Sequence, residues 1–207
     1  MITSEEASKF ISLVRETFSM LERGTDALDD VKPSGRPLNG EVGVYLVFRR
    51  SDSPSREELL ILGCPITKKG LDESVRELAY NAYIRLREMG QTIFSKILIE
   101  LHILSPLISM KDVKPVKYPQ HIIIGEHGVI VERNFYTALI LPYIAIERGW
   151  DQVDILSECC IAAGSPPDAW LDSETKVYLF EDEVFGELEP QGRVVRITNF
   201  KGSKSEV

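Results

Sequence analysis

VGVYLVFRRSDSPSREELLILGCPI, residues 42–66, is two apolar runs separated by a polar segment. In the first, Val42, Val44, Leu46 and Phe48 alternate with Gly43, Tyr45, Val47 and Arg49, the period of a largely buried strand. SDSPSREE then turns the chain, and a second strand runs from Leu59 to Cys64, so the pair reads as an antiparallel hairpin with a long tip. Gly63 leaves room for close approach to the backbone. Pro65 is expected to end the strand and leave Cys64 at a sheet edge.

Upstream, Thr3 and Glu6 form a capping box for a helix carrying Ala7, Phe10, Ile11, Val14, Phe18 and Leu21, closed by Gly24. Residues 25–41, with Pro33, Gly35, Pro37 and Gly40, read as an irregular loop. Downstream, Asp72 is expected to cap a helix that lines up Val75, Leu78, Ala79, Ala82, Tyr83 and Leu86 and ends at Gly90. Lys96–Leu104 is strand-like, with Ile97, Ile99, Leu101 and Ile103 on one face and Glu100 and His102 on the other. HIIIGEHGVIVE (121–132) reads as two short strands around a turn near Gly125. Tyr136–Arg148 suits a helix that either breaks at Pro142 or holds it in its first turn. Asp151 caps a further helix with Val153, Leu156, Cys160 and Ala163 inward, and strands are expected at Val177–Phe180 and Val194–Thr198. Helices and strands mix without steady alternation, which predicts an α+β fold with a mainly antiparallel sheet.

The 207 residues suit one domain over 1–200, two lobes sharing one chain, with a frayed tail at 201–207. A hydrophobic share of 43% supports a substantial core. With 24 basic against 32 acidic side chains, the formal charge of -8 has the wrong sign for a general nucleic-acid binder. No apolar run is long enough for a membrane span, and the start lacks the pattern of a signal peptide. Three cysteines, two of them adjacent, form no disulfide framework, so a reducing, cytoplasmic compartment is expected. Scarce Asn and Gln beside abundant Ile, Val, Glu and Lys fit a hot-living source.

Cys64 admits two readings. A thiol works as a nucleophile only when a cation, helix N-terminus or base stabilises its thiolate; otherwise a free cysteine packs as a small hydrophobe. The available imidazoles are His102, His121 and His127. His127, in Glu126-His127-Gly128, falls at a turn; His102 shares a strand face with Glu100, a pair that could orient a general base. Each could equally be a structural histidine bonded to backbone. No metal-ligand spacing and no phosphate-cradling glycine motif occurs, so neither a metal nor a cofactor is expected. Cys159 and Cys160 read as helix packing, and Glu181-Asp182-Glu183 with Glu187 and Glu189 as a solvated edge.

LILGCPI resembles the L-R-G-C-I-G signature of the AMMECR domain family. IELHILSPL (99–107), GEHGVIVE (125–132), LPYIAIERGWD (141–151) and CIAAGSPPDAW (160–170) resemble the family's later blocks in the same order, over roughly residues 5–197. The resemblance implies a cytoplasmic α+β protein with a larger and a smaller lobe and the signature lining a cleft between them. It implies association with Memo-like and radical SAM proteins, and it carries no particular reaction with it. It places candidate site residues at Gly63, Cys64, His127, Gly128 and Pro142. Leu62 stands where the signature has arginine, Pro65-Ile66 where it has isoleucine-glycine, Tyr143 where a glutamine is usual, and Ala162 where a lysine is usual. A guanidinium beside the thiol could lower its pKa or hold an anion; leucine cannot.

Two functions follow as expectations. One is a binding or scaffold module, monomer or homodimer, working with Memo-like or radical SAM partners. The other is a small-molecule enzyme or carrier using Cys64 as a cleft thiol with His127 or His102 as base, and Gly63, Pro65, Gly128, Pro142 and Tyr143 lining the cleft.

Overall fold

The computed structural model describes residues 2–25, 42–67 and 69–197. In chain order the elements are α1 (Ser4–Glu22), β1 (Val42–Arg50), β2 (Glu58–Thr67), α2 (Leu71–Glu88), β3 (Ile97–Leu104), β4 (Ile108–Ser109), β5 (Gly128–Arg133), β6 (Tyr136–Ile140), α3 (Pro142–Arg148), α4 (Gln152–Ala162), β7 (Lys176–Phe180), β8 (Asp182–Glu187) and β9 (Val194–Ile197). The fold is α+β with two antiparallel sheets, distributed over two compact units, Met1–Leu104 with Glu183–Ile197, and Ser105–Asp182. The expected loop at 25–41 and the expected tail at 201–207 lie almost wholly outside the described residues.

The first unit is built on a five-stranded sheet of order β2-β1-β3-β8-β9. The Val42–Ile66 hairpin forms as read, with Val44 opposite Cys64, Tyr45 opposite Gly63 and Leu46 opposite Leu62. Pro65 does not end the strand, which continues to Thr67. β2 is an edge strand, where a missing N–H can face outward without breaking a ladder bond. Helices α1 and α2 cover the sheet face that carries Val44, Leu46, Phe48, Ile97, Ile99 and Leu101. At its centre Phe18 stacks on Phe48 at 5.8 Å and meets Phe94 edge-on at 5.0 Å. Thr3 and Glu6 form the capping box in both directions. Asp72, in contrast, lies inside the first turn of α2, and Gly70 takes the cap position without a side-chain bond. A carboxylate there still complements the helix dipole.

The acidic segment is a solvated edge only in part, because Glu181 and Glu189 are exposed and the residues between them enter a strand. Glu183 and Glu187 belong to β8, and Glu187 is buried, paired with Arg15 at 2.5 Å and accepting the Ile99 N–H at 3.0 Å.

The second unit has a four-stranded sheet of order β4-β7-β5-β6, with α4 in its core through Ile155, Leu156, Cys159 and Cys160. Asp151 caps α4 as expected, in a capping box with Asp154. Val153 is 46% exposed and points outward, while Ile155 takes the inward place. Two other expectations fail. Tyr136–Ile140 is a strand, because the Asn134-Phe135 turn folds it back on β5 from Arg133↔Tyr136 to Val129↔Ile140; the helix begins only at Pro142, in its first turn. The isoleucine run before Gly125 is no strand either: a 3-10 segment, Pro115–His121, precedes it, and the chain then turns, with Gly125 at φ 84°.

Candidate functional site

Strand parity sorts the candidate residues of the first unit. Directly opposite residues in a sheet share a face, so Cys64 lies with Val44 on the helix-covered face, while Gly63, Tyr45 and His102 form a row across β2, β1 and β3 on the other. Cys64 and His102 are therefore on opposite sides of the sheet, and His102 does not reach the thiol. Cys64 is half-buried, and its Sγ donates to the Ile66 carbonyl at 2.9 Å, a bond that uses the protonated thiol.

Gly63 has a packing explanation. A Cβ at this position would run into the ring of Tyr45, its opposite partner, and the Val44 carbonyl. The ring is half-buried over the glycine, and burial, reinforced by the neighbouring Cys64, pushes the Tyr45 hydroxyl well above the ordinary phenol value.

Glu100 and His102 do face each other, as the strand pattern implied, at 3.7 Å between Oε2 and Nε2. The same Glu100 oxygen accepts from Arg49 Nε at 3.0 Å, and Arg49 Nη1 reaches the Arg56 carbonyl in the β1–β2 connection at 3.4 Å. All three side chains are buried and His102 is sealed at 0% exposure. Burial pushes the Glu100 carboxyl up, but hydrogen bonding with His102 and the charge of Arg49 outweigh it and hold the group below its ordinary value. Such a chain of guanidinium, carboxylate and imidazole fixes one sheet face. Tyr45 and Arg49 were not singled out in the sequence, although the β1 alternation that puts them beside Glu100 and His102 was visible there.

The second unit holds the other candidates. His127 Nδ1 accepts the Ile123 N–H at 3.1 Å, and the backbone N–H of His127 donates to the Ile123 carbonyl at 2.9 Å, so side chain and backbone together close the turn before β5. A Cβ at Gly128 would collide with the ring of Phe180, its opposite partner on β7. Gly63 and Gly128 are thus the same device in two sheets, a strand glycine beneath a cross-strand aromatic ring. Pro142 opens α3, and Tyr143 is completely enclosed.

Among the described residues no group of three or more His, Cys, Asp or Glu is arranged to hold a metal ion, and no helix is long and apolar enough to cross a membrane.

These features define an α+β protein of two antiparallel sheets, each carrying one signature glycine under an aromatic ring. The chain belongs to the AMMECR1 family, whose model matches residues 17–185. It is similar to a protein of Methanopyrus kandleri, 32% identical over 200 residues that cover 93% of this chain and 94% of the relative. A protein of Pyrococcus furiosus is likewise 32% identical over 204 residues, 94% of both chains. The crystal structure of an uncharacterised protein from Pyrococcus horikoshii has the same fold, with a TM-score of 0.82 at 29% identity, covering 96% of this chain and 99% of the other.

Proposed function

We propose that the chain is a binding module that docks onto a Memo-like or radical SAM protein in a reducing, cytoplasmic setting. The observation that carries this reading is the β5–β6 hairpin tip. Asn134, at φ 55°, closes a two-residue turn that leaves Phe135 fully exposed beside Tyr136 at 67% exposure. Neighbouring aromatic side chains on a short, paired turn present a large apolar area at little entropic cost, the composition of an interface anchor. All three cysteines are free thiols, which suits a reducing compartment.

The test is size-exclusion chromatography and calorimetry of the chain mixed in turn with the Memo-like and the radical SAM protein of its own organism. A one-to-one complex, weakened at least about tenfold by Phe135→Ala with Tyr136→Ala, supports the reading. Absence of a complex with either partner overturns it.

Cys64 supports a second reading, a small-molecule carrier or enzyme, because the residue is only half-buried. The thiol-labelling experiment in the Discussion separates the two.

A further inference from the structure

The second unit contains a cavity of about 450 Å³, inside the range of roughly 300–1,000 Å³ typical of small-molecule sites. Both of its flanks are fastened. On one side the chain leaving β4 is tied to β7 by the Met110 N–H to Val177 carbonyl bond at 3.0 Å, and turns on the Val113 N–H to Met110 carbonyl bond at 2.9 Å. On the other, Arg133 Nη1 reaches from β5 to Asp172 Oδ2 at 2.5 Å, Thr175 Oγ1 at 2.9 Å and the Ala169 carbonyl at 3.4 Å, which locks the turn leading into β7.

The lining has two characters. Val113, Pro115 and the buried Tyr118 give an apolar wall, and Lys111 and Lys176, both exposed, also line the cavity. Its lining carboxylate, Asp172, is already matched by Arg133. Glu132, outside the lining, lies 3.7 Å from Lys176, an exposed and therefore weak pair. A chain of net charge -8 thus keeps a locally cationic, half-apolar cavity. Two point charges beside an apolar wall match a dianionic head on a ring-sized body.

We propose that this cavity takes a small phosphate monoester with an apolar, ring-sized body. The assignment is independent of the hairpin-tip interface. The phosphate sits between Lys111 and Lys176, and the ring lies against Val113, Pro115 and Tyr118.

Phenyl phosphate titrated into the isotope-labelled full chain provides the test, with inorganic phosphate as the parallel arm. Saturable shifts of the Lys111, Val113, Tyr118 and Lys176 amides are expected. Lys111→Ala with Lys176→Ala should weaken binding at least tenfold while leaving the circular dichroism and melting temperature unchanged. Val113→Asp, which keeps both lysines, should weaken phenyl phosphate more than inorganic phosphate. No shifts at these amides, or undiminished binding to the lysine variant, overturns the site. Equal binding of inorganic phosphate overturns the apolar half of the assignment.

Discussion

The ring of Tyr45 occupies the space that a side chain at Gly63 would need, and the two residues are direct partners across β1 and β2. This gives Gly63 a steric role that is independent of any chemistry at Cys64. Gly63→Ala is expected to destabilise the fold by about 1–3 kcal/mol, the usual cost of overpacking. Combined with Tyr45→Ala, the loss should be non-additive by about 1 kcal/mol or more, because the smaller side chain removes the ring from the clash and leaves only the Val44 carbonyl. Urea unfolding of the four proteins measures the cycle, and strict additivity would show that the ring does not set the requirement.

Glu187 is the most consequential charge in β8. It pairs with Arg15 and also accepts the Ile99 N–H at 3.0 Å and the Gln191 N–H at 3.2 Å, so removing it takes the countercharge from a guanidinium that keeps only the Phe94 and Ile97 carbonyls, and takes the acceptor from two backbone donors. Glu187→Ala should cost about 3–5 kcal/mol. An exposed control, Glu5→Ala, breaks only the surface pair with Lys9 and should change stability by less than about 0.5 kcal/mol. Similar losses in the two variants would contradict the burial argument.

The sequence was most legible where local rules and tertiary needs agree. The capping boxes at Thr3 and Asp151 and the alternation in β1 and β3 state their structure within a few residues. Tyr136–Ile140 suits a helix running on to Arg148 when the segment is taken by itself, whereas the exposed edge of β5 captures it as a strand. Glu187 was hidden for a related reason: its partner Arg15 is 172 positions away, and nothing local distinguishes a buried carboxylate from a solvated one. Among the candidate residues, the Gly63-Cys64 pair of the first unit and the His127-Gly128 pair of the second are visible as motifs. The Tyr45 and Phe180 rings that explain the glycines depend on strand register, which the residues alone did not fix.

The Arg49–Glu100–His102 cluster predicts a specific response to acid. Glu100 has a carboxyl held below its ordinary value of 4.5, so the folded chain holds this proton less readily than the unfolded chain. Its contribution to stability is complete above that ordinary value and is lost as pH falls through the lower folded value. Glu100→Gln should lower stability at neutral pH by about 3 kcal/mol, since the buried Arg49 loses the carboxylate 3.0 Å from its Nε, and should flatten the loss seen on acidification. Denaturant unfolding from about pH 7 to about pH 3 gives both quantities. An acid limb as steep in the variant as in the parent would remove Glu100 from the explanation.

The three thiols differ enough in environment for alkylation to tell them apart. Cys159 is enclosed, donates to the Val129 and Ala138 carbonyls at 3.5 Å each, and has its pKa pushed up to about 12 by burial. Cys160 is also buried, and its thiol is raised for the same reason. Thiolate is the reactive form, so neither should react in the native protein, and iodoacetamide should take up one equivalent, at Cys64. Cys64→Ala should then take up none until denaturant is added. The rate at Cys64, set against a cysteine peptide at the same pH, separates the two functional readings. A rate at or below that of the peptide fits a thiol held to the Ile66 carbonyl in a binding module, whereas a rate well above it means a stabilised thiolate and favours the carrier or enzyme.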